Sequence, residues 1–225
     1  MLGGIAAVQQ VTTVIINFQT PNLTEHAVAS FRRHCLDEQL LLIDNGSHDQ
    51  SLELFKRLIA ETPQSTGQIL NKRNLHHGPA MDQALRYLLT PYVLFIDSDC
   101  EVQRGGFIEP MLAALAGKHE CYIIGKQVFM NTRGFEVPRG PAAIPYIRPS
   151  CMLVKRELYL SLPPFKRHGT PCLANMRSAT ERGLILLDFP IADFIHHEGR
   201  GTAGRFGYNL GWRGKWNYLL HKLGL

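Results

Sequence analysis

Tyr92–Val102 reads YVLFIDSDCEV, and its reading decides the fold. Tyr92 to Ile96 are apolar and mostly β-branched or aromatic, the composition of a strand buried on both faces. Asp97, Ser98 and Asp99 follow at once. In open α/β sheets ligands bind off the carboxyl ends of the strands. Two carboxylates there repel each other unless a positive charge lies between them. A hard divalent cation such as Mg²⁺ or Mn²⁺ meets that need, because it takes oxygen ligands from the protein and from a bound diphosphate together. The plainer alternative is an acidic turn in which Asp97 or Asp99 caps the next helix.

Upstream, the pattern alternates. Thr12–Phe18 reads as a first buried strand, followed by the loop Gln19–Asn22. Asn22 with Glu25 forms a capping-box variant for a helix to about Arg33. Leu40–Ile43 is a second strand ending in Asp44-Asn45-Gly46-Ser47. Asp49 or Ser47 caps a helix through Ala60, with Leu52, Phe55, Leu58 and Ile59 on one face. Gln68–Asn71 is a short third strand and Gly78–Leu89 a third helix. This βαβ succession predicts an α/β fold with a right-handed, mostly parallel central sheet flanked by helices.

Downstream, the expected order is a helix over Phe107–Ala116 and a strand over Tyr122–Phe129. Asn131–Pro149, rich in Gly, Pro and Arg, reads as a mobile loop. A strand at Ser150–Val154, a short helix at Lys155–Leu160, a helix near Ala174–Arg182 and a late strand at Leu184–Phe189 complete it.

The 225 residues suit a single domain, 1–225, with a core over about 11–198 and a tail over about 199–225. No run of 18 apolar residues is present, and MLGGIAAVQQ lacks the charged leader and long apolar run of a signal peptide. Five scattered cysteines, at 35, 100, 121, 151 and 172, form no C-x-x-C pair and read as buried free thiols in a cytoplasmic protein. The net charge of +5 lies entirely in the tail: residues 199–225 carry five basic residues and no acid. A nucleic-acid-binding domain would carry a broader basic face, so that class is excluded. The tail also interleaves Trp212, Trp216, Leu219, Leu220 and Leu223 with Arg213, Lys215 and Lys222. It reads either as a helix packed on the domain or as an interfacial helix on the inner face of an anionic membrane.

Four stretches taken in order, VTTVIINFQTP, LLLIDNGSHD, NKRNLHHGPAMDQAL and YVLFIDSDCEV, resemble an inverting family-2-type glycosyltransferase with the GT-A fold. The likeness runs from about Val11 to Val102 and more weakly to about Thr202. It implies a nucleotide-sugar donor, UDP-linked by expectation, and a divalent metal, Mn²⁺ or Mg²⁺. The implied acceptor is a glycan, a lipid carrier or another envelope precursor. Asp44 matches the acid that bonds the nucleotide base, a role a carboxylate fills by accepting from uracil N–H. Phe18, Thr20 and Pro21 line the same base and ribose. Asn74 and Gly78 close over the nucleoside, with Lys72 and Arg73 beside the diphosphate. Asp97 and Asp99 match the family's D-x-D: Asp99 binds metal, while Asp97, with Ser98 between them, meets the ribose or a metal-bound water. Of the histidine pair in IHHEGRGT, His196 fits the metal-ligand position better and His197 is the alternative. Arg200 and Arg205 close over the diphosphate.

One departure stands out. Inverting members place an acid, the base that deprotonates an acceptor hydroxyl, about a dozen residues before the glycine matched by Gly183. Here that place holds Pro171-Cys172, and no acid occurs from Lys166 to Thr180. The acceptor is then an already ionised phosphate, or the base is His168, Asp188 or Asp193, or the protein binds donor without efficient transfer. Two rival classes follow: a degenerate glycosyltransferase-like binding module, and a metal-dependent nucleotidyltransferase. The second is disfavoured because FQTPN lacks the Gly-rich, basic phosphate loop.

Overall fold

A computed structural model describes residues 10–166 and 169–199. In chain order the elements are β1 (Val11–Asn17), α1 (Pro21–His34), β2 (Gln39–Asp44), α2 (Ser51–Glu61), β3 (Thr66–Leu70), α3 (His77–Tyr87), β4 (Tyr92–Asp97) and β5 (Cys100–Val102). Then come α4 (Ile108–Ala116), β6 (Cys121–Met130), β7 (Ile144–Lys155), α5 (Arg156–Leu160), α6 (Leu173–Glu181), β8 (Ile185–Asp188), a 3₁₀ turn at Ile191–Asp193 and β9 (Ile195–His197).

Seven strands form one sheet in the order β3-β2-β1-β4-β7-β6-β8. Strands β1 to β4 are mutually parallel, β7 is antiparallel to both β4 and β6, and β8 is parallel to β6. Every strand but β7 therefore points the same way, as expected for a mostly parallel sheet. Their carboxyl ends share one edge, and β4 lies in the middle of the sheet.

β4 is buried on both faces. Leu94 and Ile96 enter the core under α1, α2 and α4. Val93 and Phe95 enter the opposite core with Met81, Leu85 and Met176. Both faces of the sheet are thus covered, which is why β4 reads as a continuous apolar run rather than an alternating one.

Three details differ from expectation. Helix α1 starts one residue after Thr20 with Pro21 in its first turn and has no side-chain cap, so the Asn22–Glu25 box is not used. Proline suits that position because its missing N–H has no helical partner there. In α2 the buried arc is Ser51, Leu54, Phe55 and Leu58, while Leu52 is 38% exposed. At 100° per residue Leu52 and Ile59 fall beside that arc. The Asn131–Pro149 loop is also shorter than expected, because β7 begins at Ile144. Ile144, Tyr146 and Ile147 are buried in register with Met130, Val128 and Gln127, and Pro145, Arg148 and Pro149 mask that strand in the sequence.

Candidate active site

The site begins where β4 ends. After Asp97 the chain turns through Ser98 and Asp99, and β5 pairs antiparallel with β9. The register sets Cys100 opposite His197, Glu101 opposite His196 and Val102 opposite Ile195. Cys100, Val102 and Ile195 face the core, so the pleat puts His197 on the inner side and His196 on the outer. His197 Nε2 lies 3.2 Å from Asp99 Oδ1, with the Asp99 side chain only 9% exposed. His196 shares the outer face with Glu101, whose Oε1 is 3.4 Å from His26 Nε2. The structure therefore brings His197 to Asp99, where the sequence favoured His196.

Asp97 has an imidazole of its own. His77 Nε2 lies 3.3 Å from Asp97 Oδ1, with both side chains about one-quarter exposed (27% and 25%). Burial pushes the Asp97 carboxyl above its usual range; His77 works against that shift, and Asp99 adds to it. The Asp99 carboxylate, by its hydrogen bond, holds the His197 imidazole above its ordinary value. His77 was passed over in the sequence, although the HHG triplet at the start of a helix in the nucleoside loop was its available signal.

A buried polar scaffold supports this edge of the sheet. Asp44 is 1% exposed. Its Oδ1 accepts from Asn17 Nδ2 at 2.8 Å and its Oδ2 from the Ser47 amide at 2.9 Å. Asp44 thereby braces the turn that follows β2. Thr20 is likewise turned inward, with its hydroxyl directed at Asn17 Oδ1 at 3.3 Å. Phe18 and Pro21 remain partly exposed at the rim, and Ser98 is buried. Asn74 Oδ1 accepts from Asn45 Nδ2 at 3.0 Å and from the His76 amide at 2.7 Å.

Close backbone approaches complete the scaffold. Gly46 has φ +81° and faces the Arg73 backbone, where a Cβ would have no room. A Cβ on Gly78 would lie 2.8 Å from the Lys166 backbone. The side chains of Lys72 and Arg73 are exposed. His76, immediately before α3, has φ 72° and ψ 165°, a region almost reserved for glycine that costs on the order of 1–3 kcal/mol.

Of the expected bases, Asp188 and Asp193 are described, and both lie away from Asp97 and Asp99. Asp188 ends β8, three strands from β4 and so roughly 14 Å away across the sheet. Its Oδ1 accepts from the Gln127 amide at 2.8 Å. Asp193 is exposed and precedes Ile195, at the end of the β5–β9 ribbon remote from Asp99. Cys172, in the place of the family's acid, is 0% exposed, and burial pushes its thiol well up, so it stays neutral. His168, Arg200, Arg205 and the aromatic tail lie outside the described residues.

The donor set suits a hard divalent ion. Asp99, Cys100 and His197 offer ligand atoms within 4.8 Å of one another. Cys100 is an unsuitable member: its Sγ donates to the Ser150 carbonyl at 3.3 Å, and burial keeps the thiol protonated. A carboxylate and an imidazole remain, a pair that Mn²⁺ accepts when water and phosphate oxygens fill its other positions. Among the described residues no helix is long and apolar enough to cross a membrane.

Known proteins resemble the chain in fold. A mannosyltransferase, PcManGT, from Pyrobaculum calidifontis, solved with GDP-Man and Mn²⁺, is 14% identical with a TM-score of 0.60 over 80% of this chain and 55% of that one. GalNAc-T7 with UDP, GalNAc and Mn²⁺ is 15% identical with a TM-score of 0.65 over 84% of this chain and 43% of that one. S. aureus TarS 1-349 is 15% identical with a TM-score of 0.52, over 75% of this chain and 55% of that one. The chain thus spans about half the length of these structures, and the likeness establishes a GT-A fold. No curated protein matches by sequence. The model of glycosyl transferase family 2 matches residues 12–179, and the chain belongs to that family.

Proposed function

We propose that the chain is a metal-dependent glycosyltransferase that moves a sugar, with inversion, from a nucleotide-diphosphate donor to a glycan or lipid-linked acceptor. The observation that carries this reading is the pair Asp97 and Asp99 at the carboxyl end of the central strand, with His197 3.2 Å from Asp99. Asp99 and His197 would hold the divalent ion, Mn²⁺ or Mg²⁺, which supplies Lewis-acid stabilisation to the departing nucleoside diphosphate. Asp97 would orient the donor, with Phe18 and Pro21 at the rim lining the nucleoside and Lys72 and Arg73 beside the diphosphate. UDP is the expected nucleotide; the similar structures solved with GDP-Man and with UDP make both worth testing.

A second reading, a donor-binding module without efficient transfer, draws support from the buried, neutral Cys172 where the family carries its acid. The five free, buried cysteines fit a reducing compartment, and the basic tail fits a peripheral contact with the inner membrane face.

Thermal shifts with UDP, GDP, dTDP and CDP, each with and without Mn²⁺, test the donor site, since a ligand that binds only the native state raises its melting temperature. One nucleotide should stabilise the wild type in a metal-dependent way and fail to stabilise Asp99→Ala. No stabilisation by any of them sinks the reading. Slow metal-dependent donor hydrolysis then separates an enzyme from a binding module.

A further inference from the structure

We propose that His77 is a positioning residue of the donor site, fixing the Asp97 carboxylate through Nε2 so that the other carboxylate oxygen is presented to the donor. This rests on the donor-site reading above. Two independent features point to it. The first is the contact: Nε2 lies 3.3 Å from Asp97 Oδ1 at the carboxyl end of β4, with each side chain about one-quarter exposed (27% and 25%). A carboxylate only accepts, so this role requires the proton on Nε2.

The second is the backbone that delivers the ring. His76 adopts φ 72°, ψ 165°, which a histidine does not take without external constraint. The constraint is visible. The His76 amide donates to Asn74 Oδ1 at 2.7 Å, and Asn45 Nδ2 donates to the His76 carbonyl at 3.4 Å. Beyond it, Gly78 lets the Lys166 backbone pack so closely that a Cβ would come within 2.8 Å. The turn is pinned from both sides, and its product is His77 at the first position of α3, beside Asp97.

Asp97 needs such a partner. It stands two residues from Asp99, and each negative charge opposes the other. Asp99 has His197, and a cation there would engage both. His77 supplies Asp97 with a donor of its own and leaves one carboxylate oxygen for the ligand.

The test is calorimetric titration of UDP and, separately, GDP in the presence of MnCl₂. Wild type, His77→Ala, His77→Gln, Asp97→Asn and the His77→Ala/Asp97→Asn double variant are compared. For whichever nucleotide the wild type binds, His77→Ala should weaken binding about 10–100-fold, the usual effect of removing an orienting partner. His77→Gln keeps a side-chain N–H and should recover most of the loss, and the double variant should be no weaker than Asp97→Asn alone. Affinity within about two-fold of wild type in His77→Ala overturns the proposal, as does full additivity in the double variant. So does a glutamine variant no better than alanine, which would mark the ring as packing only.

Should His77→Ala fail to fold, a long-range ¹H–¹⁵N spectrum of the wild-type imidazoles decides. A protonated Nε2 whose resonance moves in Asp97→Asn supports the proposal, and a bare Nε2 overturns it. A wild type that binds neither nucleotide sinks the donor-site reading itself, a result seen before any His77 variant is made, and the proposal goes with it.

Discussion

His197 Nε2 sits 3.2 Å from Asp99 Oδ1, although Asp99 follows β4 near the middle of the described chain and β9 lies at its end. The contact exists because β9 folds back on β5, and because antiparallel register places His197 opposite Cys100. Its neighbour His196 is carried to the other face by the two-residue pleat.

That parity distinguishes two adjacent histidines by experiment. His197→Ala should weaken Mn²⁺-dependent nucleotide binding about 10–100-fold, as expected for the loss of a metal-site residue. His196→Ala, on the Glu101 side, should remain within about two-fold of wild type, as a surface change away from the site does. Calorimetric titration with Mn²⁺ and the nucleotide that stabilises the wild type reads both. The reverse pattern would mean that β9 pairs in a shifted register.

Asp44 should behave as a structural residue. Its removal leaves one N–H of the buried Asn17 amide, whose other donates to Ser47 Oγ, and the Ser47 backbone N–H without their acceptor. Each unpaired buried donor costs about 1–3 kcal/mol, so Asp44→Ala should lower the unfolding free energy by that order in urea titration with no nucleotide present. Unchanged stability with lost nucleotide affinity would instead favour the base-reading role.

Gly46→Ala should be poorly tolerated for two separate reasons. The residue has φ +81°, and its Cβ position is occupied by the Arg73 backbone. Strain and overpacking together should cost about 1–3 kcal/mol or more in stability, read by thermal or denaturant unfolding. The Lys72-Arg73 loop would be displaced with it, so metal-dependent nucleotide binding should fall in the same variant.

Asp188→Asn and Asp193→Asn should leave donor turnover within about two-fold of wild type. Asp188 stands three strands from β4, and Asp193 lies at the remote end of the β5–β9 ribbon. Metal-dependent release of nucleoside diphosphate from a UDP-sugar or GDP-mannose is the measurement. A large loss in either variant would show that the late strand reaches the acceptor in a way this geometry does not.

The sequence alone determined the β-α alternation of the first hundred residues and the burial of Tyr92–Ile96. It also placed the polar ends of β1, β2 and β4 along one edge. These are local properties: composition states whether a strand is covered on both faces, and chain direction states where its carboxyl end lies. What only the tertiary structure decided is which side chains meet. The choice of His197 over His196 depends on the register of a three-residue pairing between distant segments. The inward turn of Asp44 depends on Asn17 from a neighbouring strand. The contact of His77 with Asp97 depends on a backbone conformation at His76 that local preference opposes and that packing against Asn45, Asn74 and Lys166 imposes. Propensity and periodicity act over a few residues, whereas a site is assembled from strand ends that only the closed sheet brings together.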